Sequence, residues 1–406
     1  MFYLTMTLIS TIFYLTASEQ WDMHLSFEGA GILLIGVICF RFGETISLSL
    51  CSLKRKIKED YRHPPKIIFS IDKKYMLIIL VIILLCIKLS FDRMLDLAGT
   101  VGLSFGDENM MGGVRNALHA GEKTGVGLGF LRISCDAISF LFQFLFINNI
   151  FQNKKYISYL CISLLALIPN LMFGARIGLI NYVFVGIGTM AVLMQFYHNW
   201  SYRWGMKQFI QLGVIGCIML SIFLLLGTFT GKVEFDNLIS PLQIYIGFPI
   251  PGVDYILSNP NTFDENIPGE KILSSLYALL YRLNFSDINI ENGFQPFAFF
   301  AGRFAANTYG ATGDWYIAAG FCGVVLGQAF VGFIYGWALA RIRTLSKLNY
   351  FIVIYCYFTY VFMDRITAEC FFNKIFAFQT IILLFVAWLL FHYLVKIIPI
   401  KDEMKR

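Results

Sequence analysis

Long uninterrupted apolar runs constrain this chain more than any other feature. A stretch of about 20 apolar residues can cross the hydrocarbon core of a bilayer as a helix. The sequence contains ten candidate runs of this kind, at roughly 1–17, 29–51, 75–91, 127–148, 156–174, 176–197, 208–229, 313–340, 349–364 and 373–396. We therefore predict an all-α polytopic membrane protein with about ten transmembrane helices.

The composition supports this class. Hydrophobic residues make up 57% and charged residues 14% of the 406 residues, whereas soluble domains carry about 25% charged residues. The mean hydropathy is +0.67. The net charge of +6 does not indicate nucleic-acid binding, because the basic residues lie between apolar runs instead of on one soluble face. The nine cysteines include no CxxC pair, so neither a zinc site nor a disulfide framework is predicted.

The distribution of lysine and arginine predicts the topology. The loop 52–74 holds eight basic residues, and basic loops face the cytoplasm. Alternation from this loop places both termini in the cytoplasm and two long segments, 91–126 and 230–312, outside. The first run lacks a clear small-residue cleavage site, so we interpret it as an uncleaved span. The chain then divides into spans 1–7 (1–229), a large outside loop (230–312) and spans 8–10 (313–406).

The large loop is rich in aromatic and aliphatic residues, which argues against disorder. Its stretch "PGEKILSSLYALLYRL" (268–283) has apolar residues at helical spacing. Two interpretations stay open for this helix: it lies at the membrane surface, or it packs under the loop.

Common catalytic motifs are missing from the sequence. There is no GxxxxGK[ST], no GxGxxG between a strand and a helix, no HExxH and no DxD pair. We therefore expect neither a nucleotide-driven nor a nucleotide-sugar enzyme, and we predict no cofactor and no metal site.

Several arginines instead lie at predicted outer membrane boundaries. Arg176 sits in "LMFGARIGLINYV", where two apolar runs meet almost without a loop. A charge there is costly unless it is paired or hydrated, so a functional role competes with a snorkelling arginine. Arg115 and His119 lie four residues apart in the first long outside segment and share a face if that segment is helical. His119 could equally be a solvated surface residue.

The stretch "GRFAANTYGATGDWYIAAG" leads into the eighth predicted span. It places Arg303, Asn307 and Asp314 where a helix start would offer free N–H donors to an anion. Asp314 either caps that helix or serves as a catalytic carboxylate. The pairs Gly323/Gly327 and Gly332/Gly336 further along predict helix-packing faces.

Two other charged groups have simpler interpretations. Arg282, at the end of the amphipathic stretch, either contacts lipid phosphates or binds substrate. The segment "DRITAEC" places Asp364, Arg365 and Glu369 at the outer end of the ninth predicted span, where we expect a structural ion pair. The remaining outside arginines fit a polyanionic head group, because guanidinium groups bind phosphate and diphosphate with paired hydrogen bonds.

Three patches carry a family resemblance: "FGARIGL", "GRFAANTYGATGDWYIAAGFCGVVLG" and, more weakly, "VRNALHAGEKTGVG". With the overall layout, they resemble the Wzy-type O-antigen and oligosaccharide repeat-unit polymerases of bacterial envelopes. The resemblance implies a glycosyltransferase of the bacterial inner membrane. Its substrates would be undecaprenyl-pyrophosphate-linked oligosaccharides, and its partners would be membrane lipids and a chain-length regulator.

The resemblance also implies roles for individual residues. Arg176 and Arg303 would bind the diphosphate with support from Arg115, and Asp314 would act as general base. The aromatic and polar residues of the same patches, Asn307, Tyr309 and Tyr316, would contact substrate, as would Arg282 and His119. A flippase for the same lipid-linked sugars and an O-antigen ligase are the alternatives. Scarce charges at mid-span and a large one-sided loop favour an enzyme over a flippase.

Overall fold

The structure is mostly helical, with 73% of the described residues in helices. It is a computed structural model, and it describes residues 2–53, 65–104, 110–119, 124–154, 156–173, 176–202, 205, 239–263, 265, 267, 269–288, 290, 295–302 and 304–400.

The helices are α1 (Phe2–Leu15), α2 (Ser18–Trp21), α3 (Phe27–Leu53), α4 (Lys73–Thr100), α5 (Met110–His119), α6 (Val126–Phe151), α7 (Ile157–Leu165), α8 (Ile168–Leu171), α9 (Arg176–Tyr197), α10 (Ile239–Gly247), α11 (Pro249–Ser258), α12 (Ser274–Arg282), α13 (Gly310–Arg343), α14 (Tyr350–Tyr357), α15 (Thr359–Asp364), α16 (Phe371–Ile375) and α17 (Phe378–Leu394). The strands are β1 (Ile67–Ser70), β2 (Ala298–Phe300), β3 (Phe304–Ala306) and β4 (Lys396–Pro399). Strand β1 pairs with β4 and β2 pairs with β3, both antiparallel.

Five helices of the described chain are long and apolar enough to cross a membrane: Phe27–Cys51, Lys73–Thr100, Val126–Phe151, Gly178–Tyr197 and Gly310–Arg343. Each coincides with a predicted span. The spans predicted at 156–174, 349–364 and 373–396 correspond to shorter apolar helices, and α1 has only 14 residues. The span predicted at 208–229 lies outside the described residues. The long apolar helices agree with the predicted class, whereas the count of ten spans stays a prediction.

Contacts divide the chain into two units. Unit 1 comprises Met1–Asp60, Asn237–Thr344 and Val361–Ile381, and unit 2 comprises Tyr61–Asp236, Leu345–Tyr360 and Ile382–Arg406. Each unit therefore combines segments from distant parts of the chain, whereas the predicted division at 229 and 312 follows chain order.

In unit 1, helices α3 and α13 approach each other closely along glycine faces. A Cβ atom on Gly332 would meet the carbonyl oxygen of Phe40, and one on Gly336 would meet the backbone of Glu44. Small residues at such a contact let two backbones pack without an intervening side chain, which is a main source of association between membrane helices. The predicted packing role of Gly332 and Gly336 is confirmed.

Helix α13 is broken near its start. Ala319 has φ −157° and ψ 28°, and Gly320 has φ 59° and ψ −148°, so neither residue is helical. The break folds Trp315 back along the same helix. A Cβ atom on Gly323 would meet the carbonyl oxygen of Trp315, and one on Gly327 would meet its indole ring. These two glycines therefore form a packing face, as predicted, and their partner is the part of α13 that precedes the break.

The described part of the large loop packs around an aromatic cluster in unit 1. Its buried members include Phe248, Phe263, Phe300 and Tyr309, together with Trp21 from the N-terminal region. Strands β2 and β3 form a hairpin beside this cluster. Within the predicted amphipathic stretch 268–283, helix α12 starts only at Ser274, after a turn.

In unit 2, two adjacent asparagines of α6 bind the strand β1. The side chain of Asn149 accepts from the N–H of Phe69 at 2.9 Å and donates to the carbonyl of the same residue at 2.8 Å. Asn148 donates to the carbonyl of Ile67 at 3.1 Å. These bonds satisfy one edge of the small β1–β4 sheet, which the sequence analysis did not predict.

Candidate functional site

The candidate site lies in unit 1, where the first turn of α13 meets the segment 364–370. The N–H of Gly310, which has φ +66°, donates to the carbonyl of Thr367 at 3.0 Å. The N–H of Ala311 donates to the carbonyl of Arg365 at 3.0 Å. The sequence predicted free N–H donors for an anion at this helix start. For these two groups that prediction is wrong, because neighbouring carbonyl groups already accept from them.

A buried polar network continues from this contact. The guanidinium of Arg365 donates to Glu369 Oε2 at 2.5 Å, and both side chains are fully buried. Trp315 Nε1 donates to the same oxygen at 2.9 Å. Arg365 also donates to the side-chain oxygen of Gln328, whose amide donates to the Thr312 hydroxyl at 3.3 Å. The predicted ion pair between Arg365 and Glu369 is confirmed, and it belongs to a larger network.

Asp314 connects the start of α13 to this network. Its Oδ2 accepts from the backbone N–H of Glu369 at 2.6 Å, and the residue is only 4% exposed. Tyr309, not Asp314, occupies the N-cap position, so Asp314 does not cap its own helix. Within the described residues Asp314 Oδ1 has no hydrogen-bond partner. A buried acceptor without a partner costs free energy, and it marks a position where a ligand proton could be received.

Titratable groups near Asp314 lie in a protein-enclosed environment. Burial raises the pKa of the Glu265 carboxyl, although the N–H groups of Lys271 and Glu270 donate to it and act in the opposite direction. Burial also raises the pKa of the Cys370 thiol to about 12, and the nearby carboxylates of Asp364 and Glu369 add to this shift. Cys370 is therefore a neutral thiol at physiological pH and not a thiolate nucleophile.

A small cavity borders the network. It encloses about 320 Å³ of empty space when the open solvent at its mouth is counted. Arg365 and Thr312 contribute to one wall, and the hydroxyl-bearing residues Thr7 and Ser10 of α1 contribute to another. The cavity therefore brings polar side chains of three chain segments together next to the buried ion pair.

No family model, curated protein or solved structure matches this chain. Any functional assignment therefore rests on the residues themselves and on the resemblance of short motifs.

The predicted basic residues are distributed over both units. Arg303 belongs to the range of unit 1 but lies outside the described residues. In unit 2, Arg176 opens α9, and Arg115 and His119 lie on α5. Their side chains are not among those described. The predicted convergence of Arg176 and Arg303 on one diphosphate stays a prediction.

The other predicted substrate contacts lie in unit 1. Arg282 is exposed at the end of α12, and its guanidinium lies 5.4 Å from the ring centre of Phe378. Tyr309 is fully buried, and its hydroxyl donates to the carbonyl of Pro296 at 2.9 Å. Tyr309 also lines the cavity. Asn307 and Tyr316 are partly buried. A substrate role for these four residues stays a prediction.

The sequence analysis did not identify two polar members of this site, Gln328 and Thr312, which both lie on α13. Glu369 and Arg365 were interpreted as an ion pair without a connection to Asp314. A polar Gln328 within the apolar run 313–340 was the available signal, since a buried amide in a membrane helix needs partners.

Proposed function

We propose that this chain is a metal-independent membrane glycosyltransferase that polymerises undecaprenyl-pyrophosphate-linked oligosaccharide repeat units. The product would be O-antigen or a related surface polysaccharide, made at the outer face of the bacterial inner membrane. The proposal includes about ten spans with both termini in the cytoplasm, which reporter fusions to each loop would test.

One observation carries the proposal: a buried carboxylate with an unshared oxygen lies near the start of a helix long enough to cross a membrane, and it is hydrogen-bonded to a residue that pairs with a buried guanidinium. Asp314 Oδ1 has no partner among the described residues, and Glu369, which donates its N–H to Oδ2, is paired with Arg365. Transfer of a sugar to a hydroxyl group requires a base for the acceptor proton and positive charge near the leaving group. Asp314, which is enclosed by protein, is the candidate for the base that takes the acceptor proton.

The proposed reaction involves one bond exchange. The acceptor hydroxyl of one lipid-linked unit attacks the anomeric carbon of the growing glycan, and Asp314 takes its proton. The bond between that carbon and the diphosphate oxygen breaks, and undecaprenyl pyrophosphate leaves with the electron pair. We assign Arg176 and Arg303 to this developing charge, with Arg115 in support, because guanidinium groups bind diphosphate in paired fashion.

Asp314→Asn tests the role of the carboxylate. The substitution preserves size and removes the basic oxygen, so we expect polymer formation to fall by about 100-fold or more, as is typical for loss of a general base. The purified protein would be placed in liposomes with lipid-linked repeat units, and the products would be separated on a glycan gel. Asp287→Asn is the matched control, because Asp287 is an exposed aspartate in the large loop that precedes α13.

Three results would distinguish the explanations. Loss of the ladder in Asp314→Asn with a full ladder in Asp287→Asn supports the proposal. A full ladder in both variants excludes Asp314 as the base. Absence of any ladder from the unaltered protein, with transfer to a lipid A core acceptor instead, would show a ligase.

A flippase for the same lipid-linked sugars is the second candidate, favoured by the break in α13. Discontinuous membrane helices often form the binding sites of transporters, and Ala319 and Gly320 interrupt a 34-residue helix. The two functions differ in a deletion strain. Single repeat units on the outer leaflet without polymer indicate a polymerase, whereas lipid-linked units retained on the inner leaflet indicate a flippase.

A further inference from the structure

A second buried polar cluster lies in unit 2, on the membrane-type helix α6. Arg132 Nε donates to Asn170 Oδ1 at 2.8 Å, and Asn170 Nδ2 donates to Asp136 Oδ1. The Arg132 guanidinium also lies over the ring of Phe173, 4.1 Å from its centre. Asn170 thus lies between the two charged side chains and binds both.

The two terminal nitrogens of Arg132 have no hydrogen bond in the described part of the chain, where Asn170 is its one partner. Arg132 and Asp136 form no ion pair within 4.0 Å there either, although their charges still attract. The cluster is electrically neutral as a whole, which lowers the cost of two charges in a membrane-type helix. The two terminal nitrogens of the guanidinium therefore keep their N–H groups available for a ligand. The Asn170 amide and the Phe173 ring hold the guanidinium in place.

The surroundings of Arg132 connect it to two arginines already assigned to the diphosphate. Phe173 belongs to a buried cluster with Val114 and Ala117 of α5, the helix that also carries Arg115. Phe173 precedes Arg176, the first residue of α9, by three positions. The ring under Arg132 thus packs against the helix that carries Arg115 and belongs to the segment that leads towards Arg176.

We infer that Arg132 is a further phosphate-binding residue, which receives the diphosphate of the lipid-linked substrate together with Arg115 and Arg176. This inference rests on the proposed function, and it adds to that function a residue that the motif resemblance does not include. A planar guanidinium with two free terminal nitrogens matches the spacing of phosphate oxygens. A site on an apolar helix fits an anion that is attached to a lipid chain.

Two lipid anions could present this chemistry: a polyprenyl diphosphate and an anionic phospholipid head group. We commit to the diphosphate, because arginines on three elements exceed what one phosphodiester charge requires. Native mass spectrometry of the detergent-purified full chain can measure binding of each lipid separately. The probes are undecaprenyl diphosphate, undecaprenyl monophosphate and phosphatidylglycerol.

Arg132→Gln should weaken diphosphate binding by about tenfold or more, equivalent to about 1.4 kcal/mol. Arg132→Lys retains the positive charge but lacks the paired N–H donors of a guanidinium. This variant should therefore lose most of the preference for diphosphate over monophosphate. Arg93→Gln is the control, because Arg93 is a partly exposed arginine of the same unit, opposite Asp96. It should bind all three lipids as the unaltered protein does.

The outcomes separate failure of this inference from failure of the proposed function. If the unaltered protein prefers the diphosphate and Arg132→Gln binds it equally well, Arg132 has only a structural role and the inference is wrong. Equal loss of binding for phosphatidylglycerol and diphosphate would indicate a general head-group site and would also overturn it. If the unaltered protein does not prefer the diphosphate, the proposed substrate class itself fails. A melting curve of each lipid-free variant shows whether it is folded. If Arg132→Gln does not fold, the lipid binding of Arg132→Lys is compared with that of the unaltered protein instead.

Discussion

Glu369→Gln removes one charge from an ion pair that is closed to solvent. In the structure, Glu369 Oε2 accepts from Arg365 and from Trp315 Nε1, while Oε1 accepts from the N–H of Phe371 at 3.1 Å. All three contacts are donors directed at the carboxylate. A glutamine amide offers one acceptor oxygen and one NH₂ group, so its NH₂ group must face at least one of these donors.

The burial of the pair determines the magnitude. The side chains of Arg365 and Glu369 are both 0% exposed, so water and salt cannot screen the charge that remains on Arg365. Breaking a buried pair by removing one partner typically costs about 3–5 kcal/mol. An exposed pair is worth about 1 kcal/mol or less. Asp72 and Lys396 form such an exposed pair in unit 2, with side chains 38% and 62% exposed, respectively.

The measurement is unfolding of the purified protein by increasing SDS in mixed micelles, followed by tryptophan fluorescence. Glu369→Gln and Arg365→Met should each lower the free energy of unfolding by about 3–5 kcal/mol, and Asp72→Asn by about 1 kcal/mol or less. The double variant Arg365→Met, Glu369→Gln leaves no unpaired charge. Its cost should therefore be clearly smaller than the sum of the single costs.

Two results would refute this reasoning. Equal small losses for Glu369→Gln and Asp72→Asn would mean that the buried carboxylate is not charged or that water reaches the pair. Strict additivity in the double variant would mean that Arg365 and Glu369 do not interact energetically, whatever their distance.

Three further predictions concern unit 1, each measured by the same unfolding assay. Gly332→Ala should cost about 1–3 kcal/mol, because its Cβ would press on the backbone of Phe40, whereas Gly31→Ala on α3 has open space and should be neutral or slightly stabilising. Gly320→Ala should cost about 1–3 kcal/mol from backbone strain alone, because φ 59° with ψ −148° is almost restricted to glycine; an unchanged stability would argue against the break. Burial raises the pKa of Glu265, so the folded state binds its proton more tightly than the unfolded chain, and this contribution is lost as pH rises through the raised pKa. The stability of the unaltered protein should thus fall relative to Glu265→Gln on going from about pH 4, below the ordinary glutamate value, towards neutral pH; a constant difference would refute it.

The membrane class and the long helices were predictable from the sequence because they depend on local information. A run of about 20 apolar residues indicates a helix whatever its neighbours are. An ion pair of Arg365 with a neighbouring carboxylate was equally local, because Asp364 and Glu369 lie within four residues of it, although the structure places Arg365 and Glu369 in a turn and an irregular segment after α15. The packing faces at Gly332 and Gly336 followed from their spacing.

The arrangement of the site was not predictable, because it depends on contacts between distant positions. Asp314 and Glu369 are 55 residues apart in the chain, and Arg365 and Gln328 are 37 apart. No periodicity records such pairs. The spacing of Gly323 and Gly327 likewise predicts a close contact but does not identify its partner, which is Trp315 in the part of α13 before the break.

The break in α13 explains how a membrane helix can carry a buried acid near its start. As one straight helix, its 34 residues would extend about 51 Å, well beyond the hydrocarbon core of about 30 Å. The part after the break, 321–343, would extend about 34 Å and is long enough to cross alone. The preceding part is therefore free from the need to be apolar, and Thr312 and Asp314 can bond within the protein. The non-helical backbone at Ala319 and Gly320 separates the two parts, and the hydrogen bonds from Gly310 and Ala311 to the segment 364–370 hold the first part where Asp314 accepts from Glu369.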